Sequence, residues 1–319
     1  MVFFLRYSCN NVLFWKPWRK HRVLIFSILV KLFIRKILFF SLPIVLLNFL
    51  FIELTDHYYH NAYQVVDYNF ESYILADSRG LCLDDDILNQ HGIYNFSAGS
   101  DSYQDIYRKL MLLIRNAKPR KIFLTVDDHT LSPYRDRSNN SDRSSQFMIF
   151  HDFNSTYEFV KTRYLSQYFP IFESKSRDII KIQFASFLSF HSTLLKDDFE
   201  YTPWPKMTHH EKDQISYHRV NSQFKHNSFS KKQNKYLNLI LNACYFHDIE
   251  IVGIKFPLTN SYLKNLGTRS YSADEILKSK GVDVLDFRNY FVSTDALFLN
   301  SDHLTAEGGK ELARLITIK

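Results

Sequence analysis

From Ile37 to Ile52 the chain reads ILFFSLPIVLLNFLFI, sixteen residues without a charge, closed by Glu53. So long an apolar run has two homes: the centre of a large core, or the hydrocarbon of a bilayer. The flanking charge decides between them. Residues 1–52 hold no Asp or Glu but eight Lys and Arg, namely Arg6, Lys16, Arg19, Lys20, Arg22, Lys31, Arg35 and Lys36. A core helix does not need such a flank, whereas basic residues gather on the cytoplasmic side of a membrane span. Residues 37–54 are therefore expected to form a single transmembrane anchor. The run is slightly short for a hydrocarbon layer of about 30 Å, and Leu54 with a snorkelling Lys36 extends it. Pro43 marks a candidate kink. Residues 1–36 then form a basic cytoplasmic segment, in which Val23–Lys36 is either an interfacial helix or part of a longer, bent entry. Residues 55–70 read as a polar, aromatic stem, and the rest of the chain is expected outside the cytoplasm, periplasmic or extracellular. No small-x-small cleavage pattern follows Ile52, which favours a retained anchor over a cleaved signal peptide.

The net charge of +7 belongs to that flank. Without its eight basic residues the chain has 32 Lys and Arg against 33 Asp and Glu. A nucleic-acid binder would carry a basic patch on its folded part, so nucleic acid is not an expected partner. The 45% of hydrophobic residues is enough for a packed core. Cys9 falls on the cytoplasmic side, and Cys82 and Cys244 outside; their spacing permits one disulfide without requiring it, and buried free thiols are the expected state. The pairs His57/His60 and His209/His210 have no carboxylate or thiol at ligand spacing, so neither a metal nor a cofactor is expected.

Beyond the stem a β/α rhythm sets in. Strand candidates are Tyr73–Ala76, Tyr94–Ser97, Lys121–Val126, Glu250–Ile254 and Val282–Phe287, each apolar and bounded by turn residues. Between them Asp101–Ala117 places Ile106, Leu110, Leu113 and Ile114 on one helical face, with Ser100 or Asp101 as N-cap. Lys231–His247 and Thr305–Ile316 are similar. Strands alternating with helices imply a parallel sheet covered on both faces. The rhythm fails from about residue 130 to 230, apart from helical fragments such as Ile179–Leu195. That stretch is expected to be an insertion over the carboxyl edge of the sheet, within a domain spanning 71–319.

Ligands of open parallel sheets bind outside the carboxyl ends of the strands. Four segments converge there: ADSRG (Ala76–Gly80) after the first strand, NFSAGS (Asn95–Ser100) at the second, TVDD (Thr125–Asp128) at the third, and SDHLTAEGG (Ser301–Gly309) before the last helix. Ser78 at a strand end is a candidate nucleophile, and a serine needs a neighbouring base. His303, on a loop at a helix N-terminus beside Asp302, is the candidate base. Backbone N–H groups at Ser78 and around Gly99 are candidate oxyanion donors. Arg79 binds an anionic substrate group or pairs with Asp84–Asp86, the pairing being favoured, and Asp127 and His129 are placed to line the substrate pocket.

In their order these four blocks resemble those of the SGNH, or GDSL-type, hydrolase superfamily, and are most similar to its membrane-anchored extracytoplasmic members. The resemblance implies a flavodoxin-like three-layer α/β/α domain. It also implies Ser78 as nucleophile, Gly99 as an oxyanion-hole donor and His303 as base. Two positions depart from the family pattern. Asp127 stands where an amide donor is usual, and an ionised carboxylate cannot donate. Asn300 stands three residues before His303, where the family has its acid, so either Asp302 takes that role or the site works as a dyad. The resemblance further implies an acyl-enzyme esterase or O-acyltransferase acting on an acylated polymer, such as acetyl esters of an envelope glycan, with a membrane-bound O-acyltransferase as an expected partner. The competing class is a binding or assembly protein that keeps the fold without the chemistry; Asp127 and Asn300 favour it.

Overall fold

The computed structural model describes residues 16–153, 155–165, 169, 174–190 and 202–318. Cys9, Arg6 and the end of the expected helix beyond Phe190 lie outside the described residues. Counting helices of six residues or more, the chain order is α1 (Lys16–Thr55), β1 (Ser72–Leu75), α2 (Asp85–Gln90), β2 (Ile93–Asn95), α3 (Tyr103–Asn116), β3 (Lys121–Thr125), α4 (Ser174–Phe190), α5 (His209–Gln223), α6 (Lys231–Phe246), β4 (Glu250–Lys255), α7 (Asn260–Leu266), α8 (Ala273–Ser279), β5 (Asp283–Asp286) and α9 (Ala306–Thr317).

The expected anchor is part of something longer. α1 runs 40 residues with Pro43 inside it, and the helical stretch Ile28–His60 is long and apolar enough to cross a membrane, holding an 18-residue window whose mean hydropathy is 2.3. At 1.5 Å per residue, α1 measures about 60 Å, roughly twice the hydrocarbon thickness. Its described apolar side chains point outward, Phe33, Phe39, Phe40 and Ile44 among them. Val23–Lys36 is continuous with this helix rather than separate from it.

The expected stem, 55–70, is tied to the domain. The helix continues through a wide turn, Asp56–His60, and a short helical piece, Asn61–Gln64. Two aromatic hydroxyls fasten it to the domain: Tyr59 donates to Asp142 at 2.7 Å and Tyr63 to Asp101 at 2.9 Å. Tyr63 is buried and stacks on Phe147.

All five strands are parallel, in the order β2-β1-β3-β4-β5. This is the flavodoxin-like arrangement, whose order reverses at β1 and β3 and leaves a crevice beyond their carboxyl ends. Side chains alternate across the sheet, as strand geometry requires. Tyr73, Leu75, Ile122 and Leu124 face α3 and α6, packing with Ile106, Leu110, Leu113, Leu237 and Ile240. Ile74, Ala76, Phe123 and Ile254 face the other layer, with Leu88 of α2 and Leu312, Ala313 and Ile316 of α9. The result is a three-layer α/β/α domain.

Local chemistry shifts one expected boundary. α3 is capped by Ser102, in a reciprocal box with Asp105, and not by Ser100 or Asp101. Asp101 is turned inward to the buried Lys109 ammonium at 2.6 Å, and Ser100 takes a left-handed φ of 71°. In the segment between β3 and β4, α5 packs against α7 around Val220, Tyr262 and Leu266.

Candidate active site

β1 is followed by buried Ala76 and Asp77, and the backbone then turns at Ser78 and Arg79 into a short 3-10 helix, Gly80–Cys82. Gly80 donates its N–H to the Asp77 carbonyl at 3.0 Å, which closes the turn and leaves Ser78 at its crest. The position requires glycine: a Cβ there would lie 2.3 Å from Ser97 Oγ. On the other side, the loop before α9 is held by Leu299 N–H on the His303 carbonyl at 2.9 Å and by a bridge between Phe298 and Leu304.

The two loops meet at the reacting groups through a hydrogen bond of 2.8 Å between His303 Nε2 and Ser78 Oγ. His303 Nδ1 faces two acceptors, Asn300 Oδ1 at 3.0 Å and Asp302 Oδ1 at 3.1 Å. The Asn300 oxygen is itself fixed in place by the Asp302 N–H at 3.1 Å. Two acceptors at Nδ1 put the ring proton there and leave the Nε2 lone pair free to accept from the serine hydroxyl. Both residues that were alternatives in the sequence therefore touch the imidazole.

Behind this pair lies a buried charge network. Asp302 Oδ2 accepts from Arg79 Nη2 at 3.0 Å, from Arg219 Nε at 3.0 Å and from Gln223 Nε2 at 3.3 Å. Burial works against its charge, but His303, Arg79 and Arg219 outweigh it and hold the carboxyl well below its ordinary range. Arg79 is only 3% exposed and carries Asp127 on its other arm, Nη1 to Oδ2 at 3.1 Å. Burial opposes the guanidinium charge too, yet the two carboxylates raise its pKa.

Three expected pocket residues are therefore corrected. Arg79 neither faces solvent nor pairs with Asp84–Asp86; Asp84 instead caps α2, accepting from Ile87 N–H at 2.9 Å. Asp127 is buried, accepting from Phe256 N–H at 2.8 Å and from the Thr125 hydroxyl at 3.2 Å; burial pushes it up to about 6 despite Arg79. His129 is buried against Asp77, with Nε2 at 3.4 Å, and burial and Arg79 lower it to about 3. All three brace the site from within, because the turn after β1 and the end of β3 tuck their side chains beneath the loops.

Gly99 lies on the loop after β2. The register that pairs Ser72 with Ile93 continues through Ala98 N–H on the Ala76 carbonyl at 3.2 Å, which brings the start of the Gly99 loop beside the turn that carries Ser78. The backbone N–H groups of Ser78 and Gly99 donate to no atom among the described residues. The loop is fixed by Asn140, whose amide donates to the Gly99 carbonyl at 2.7 Å and to Asp101 at 2.6 Å. Asn140, Arg219 and Gln223 come from the segment between β3 and β4, and no motif marks them in the sequence. Cys82 and Cys244 are both free thiols.

Fold and constellation together define a class: three-layer α/β/α proteins that present a serine–histidine pair at the carboxyl edge of a parallel sheet. Among the solved structures similar to this chain are two GDSL-family lipolytic proteins and an acylhydrolase. One, from Desulfitobacterium hafniense and assigned to the G-D-S-L lipolytic family, is 10% identical with a TM-score of 0.39, covering 78% of this chain and 98% of its own. A GDSL-like lipase from Bacteroides thetaiotaomicron is 8% identical with a TM-score of 0.40, covering 84% and 97%. A protein from Bacteroides fragilis assigned as an acylhydrolase is 8% identical with a TM-score of 0.39, covering 83% and 95%. No protein-family model and no curated protein matches the sequence.

Proposed function

We propose that this protein is a membrane-anchored serine hydrolase or O-acyltransferase of SGNH type, working outside the cytoplasm on acyl esters. The observation that carries the reading is the 2.8 Å Ser78–His303 hydrogen bond backed by Asn300 and Asp302 at Nδ1. His303 takes the Ser78 proton as Oγ attacks the ester carbonyl. The oxyanion of the tetrahedral intermediate is held by the Ser78 and Gly99 N–H groups. Asp302 stabilises the imidazolium and Asn300 holds its orientation. Collapse expels the alcohol, which takes the proton from His303, and leaves an acyl group on Ser78. Water, or a sugar hydroxyl in the transfer reaction, then attacks with His303 as base. The basic flank of α1 favours an N-terminus in the cytoplasm. The substrate we infer is an O-acylated envelope or exported polysaccharide, acetyl being the simplest acyl group, with a membrane-bound O-acyltransferase as donor in the transfer case.

The test is covalent labelling of the full-length protein by a fluorophosphonate, beside Ser78→Ala and His303→Ala. Labelling of the wild type that is lost in both variants is expected. A folded wild type that takes no label refutes the hydrolase reading and favours a binding or assembly protein of the same fold. One observation favours that second reading: Asp127, in place of an amide donor, is committed to Arg79 and contributes nothing to an oxyanion hole.

A further inference from the structure

The segment between β3 and β4 carries exposed apolar side chains that neither the core nor the candidate site uses. Phe150, Tyr157, Val160, Leu165, Ile182 and Phe184 are all solvent-facing, Tyr157 by 72% and Ile182 and Phe184 by 63%. They sit on the turn Phe150–Asp152, the helical stretch Thr156–Leu165 and α4. Isolated exposed apolar side chains are ordinary on a soluble domain, but a concentration within one limb marks a surface that something covers.

The position of the limb says what covers it. α4 touches α1 and also the turn Asp56–His60, where the apolar stretch Ile28–His60 ends. The base of the limb is fastened to that same end. Tyr59 bonds Asp142 at 2.7 Å, the Arg143 guanidinium lies 4.2 Å and 4.5 Å from the ring centres of Tyr59 and Tyr63, and Gln146 Nε2 stands 3.2 Å from His60 Nδ1. A side chain tied to the end of a membrane span is held at the membrane surface. Its apolar groups then meet the boundary between headgroups and acyl chains, where amphipathic helices lie in the plane of the interface. Charged neighbours such as Lys181, 76% exposed, can reach the headgroups from the same helix.

We propose that this limb, the turn Phe150–Asp152 and the helical stretch Thr156–Leu165 with α4, is a second membrane contact: a monotopic surface seated in the leaflet where the span ends, covered by phospholipid. It would hold the domain down on the bilayer instead of letting it swing on a single helix. The inference rests on α1 as a span and is independent of the chemistry at Ser78.

The experiment uses the full-length protein in nanodiscs of phosphatidylcholine and phosphatidylglycerol, with a photoreactive benzoylphenylalanine replacing Phe184, Tyr157 or Tyr245, one at a time. Tyr245 is 89% exposed at the end of α6 and serves as the solvent-facing control. Phe39, within the span, is replaced in a fourth sample. After irradiation, intact mass spectrometry is expected to find a phospholipid adduct at Phe184, Tyr157 and Phe39, at least tenfold above Tyr245. An adduct between two copies of the chain at Phe184 and Tyr157 would make the surface an oligomer interface and overturn the proposal. Phe184 and Tyr157 behaving like Tyr245 would overturn it as well. Absence of lipid at Phe39 would remove the span and the proposal with it.

Discussion

Gly309 offers a sharp test of how the serine and histidine are brought together. A Cβ at this position would lie 1.7 Å from the Cys82 carbonyl oxygen and 2.4 Å from its carbon, both backbone atoms. An ordinary contact needs well over 3 Å, so Gly309→Ala must drive α9 and the 82–83 backbone apart by about 1.5 Å; overpacking of this kind costs about 1–3 kcal/mol. Gly309 lies six residues after His303, and Cys82 four after Ser78, so the displacement falls on the two loops that meet at the 2.8 Å hydrogen bond. Opening that bond by the same amount takes it beyond 4 Å, where no hydrogen bond remains. Misplacement of reacting groups by about 1 Å can cost on the order of 100-fold in rate. Gly309→Ala is therefore expected to lower the fluorophosphonate labelling rate about 100-fold and the melting temperature by roughly 3–10 °C. Gly267→Ala is the control: Gly267 has a φ of 58° with nothing near its Cβ position, so alanine strains the backbone without pushing anything. It is expected to lose some thermal stability and keep the wild-type labelling rate. Gly309→Ala labelled as fast as wild type would refute the proposition that close approach of α9 to the Ser78 turn sets the site.

Three further outcomes follow from the same geometry. Asp302→Asn keeps the shape at His303 Nδ1 but removes the charge that stabilises the imidazolium, and should slow labelling by on the order of 10³ or more, whereas Asn300→Ala should cost nearer tenfold; equal effects would show that Asp302 is not the acid. Lys109→Met strips the buried Asp101 of its cation, and denaturant unfolding should show a loss of about 3–5 kcal/mol, largely restored by adding Asp101→Asn. For His129, burial and Arg79 lower the folded-state pKa to about 3 from 6.5, although Asp77 opposes them. Between those values acid protonates the unfolded chain but not the folded one, so stability should fall as pH drops from about 6.5, approaching ~1.4 kcal/mol per pH unit. Urea unfolding at a series of pH values should lose much of that slope in His129→Asn, and an unchanged slope would remove His129 as its source.

The sequence alone determined what depends on local pattern. Five apolar runs bounded by turn residues became five parallel strands within a residue or two of expectation, because strand length and alternation are written in neighbouring side chains. The uncharged run announced a helix long and apolar enough to cross a membrane for the same reason. Ser78 and His303 were legible as candidates because strand ends and helix starts are local features, and block order placed both at one edge. What the tertiary structure decided was partnership. Arg79 looked bound for Asp84–Asp86, close in the chain, yet the turn after β1 directs it inward to Asp127 and Asp302, which are remote in sequence. Asp127 and His129, read as pocket wall, became buried braces because the depth of a side chain depends on what packs over it. The choice between Asn300 and Asp302 could not be made from spacing, since a loop can turn either residue toward an imidazole, and here it turns both. Arg219, Gln223 and Asn140 left no sign in the sequence: each reaches the site from a segment without periodicity, between β3 and β4, and only folding brings such residues within hydrogen-bond range.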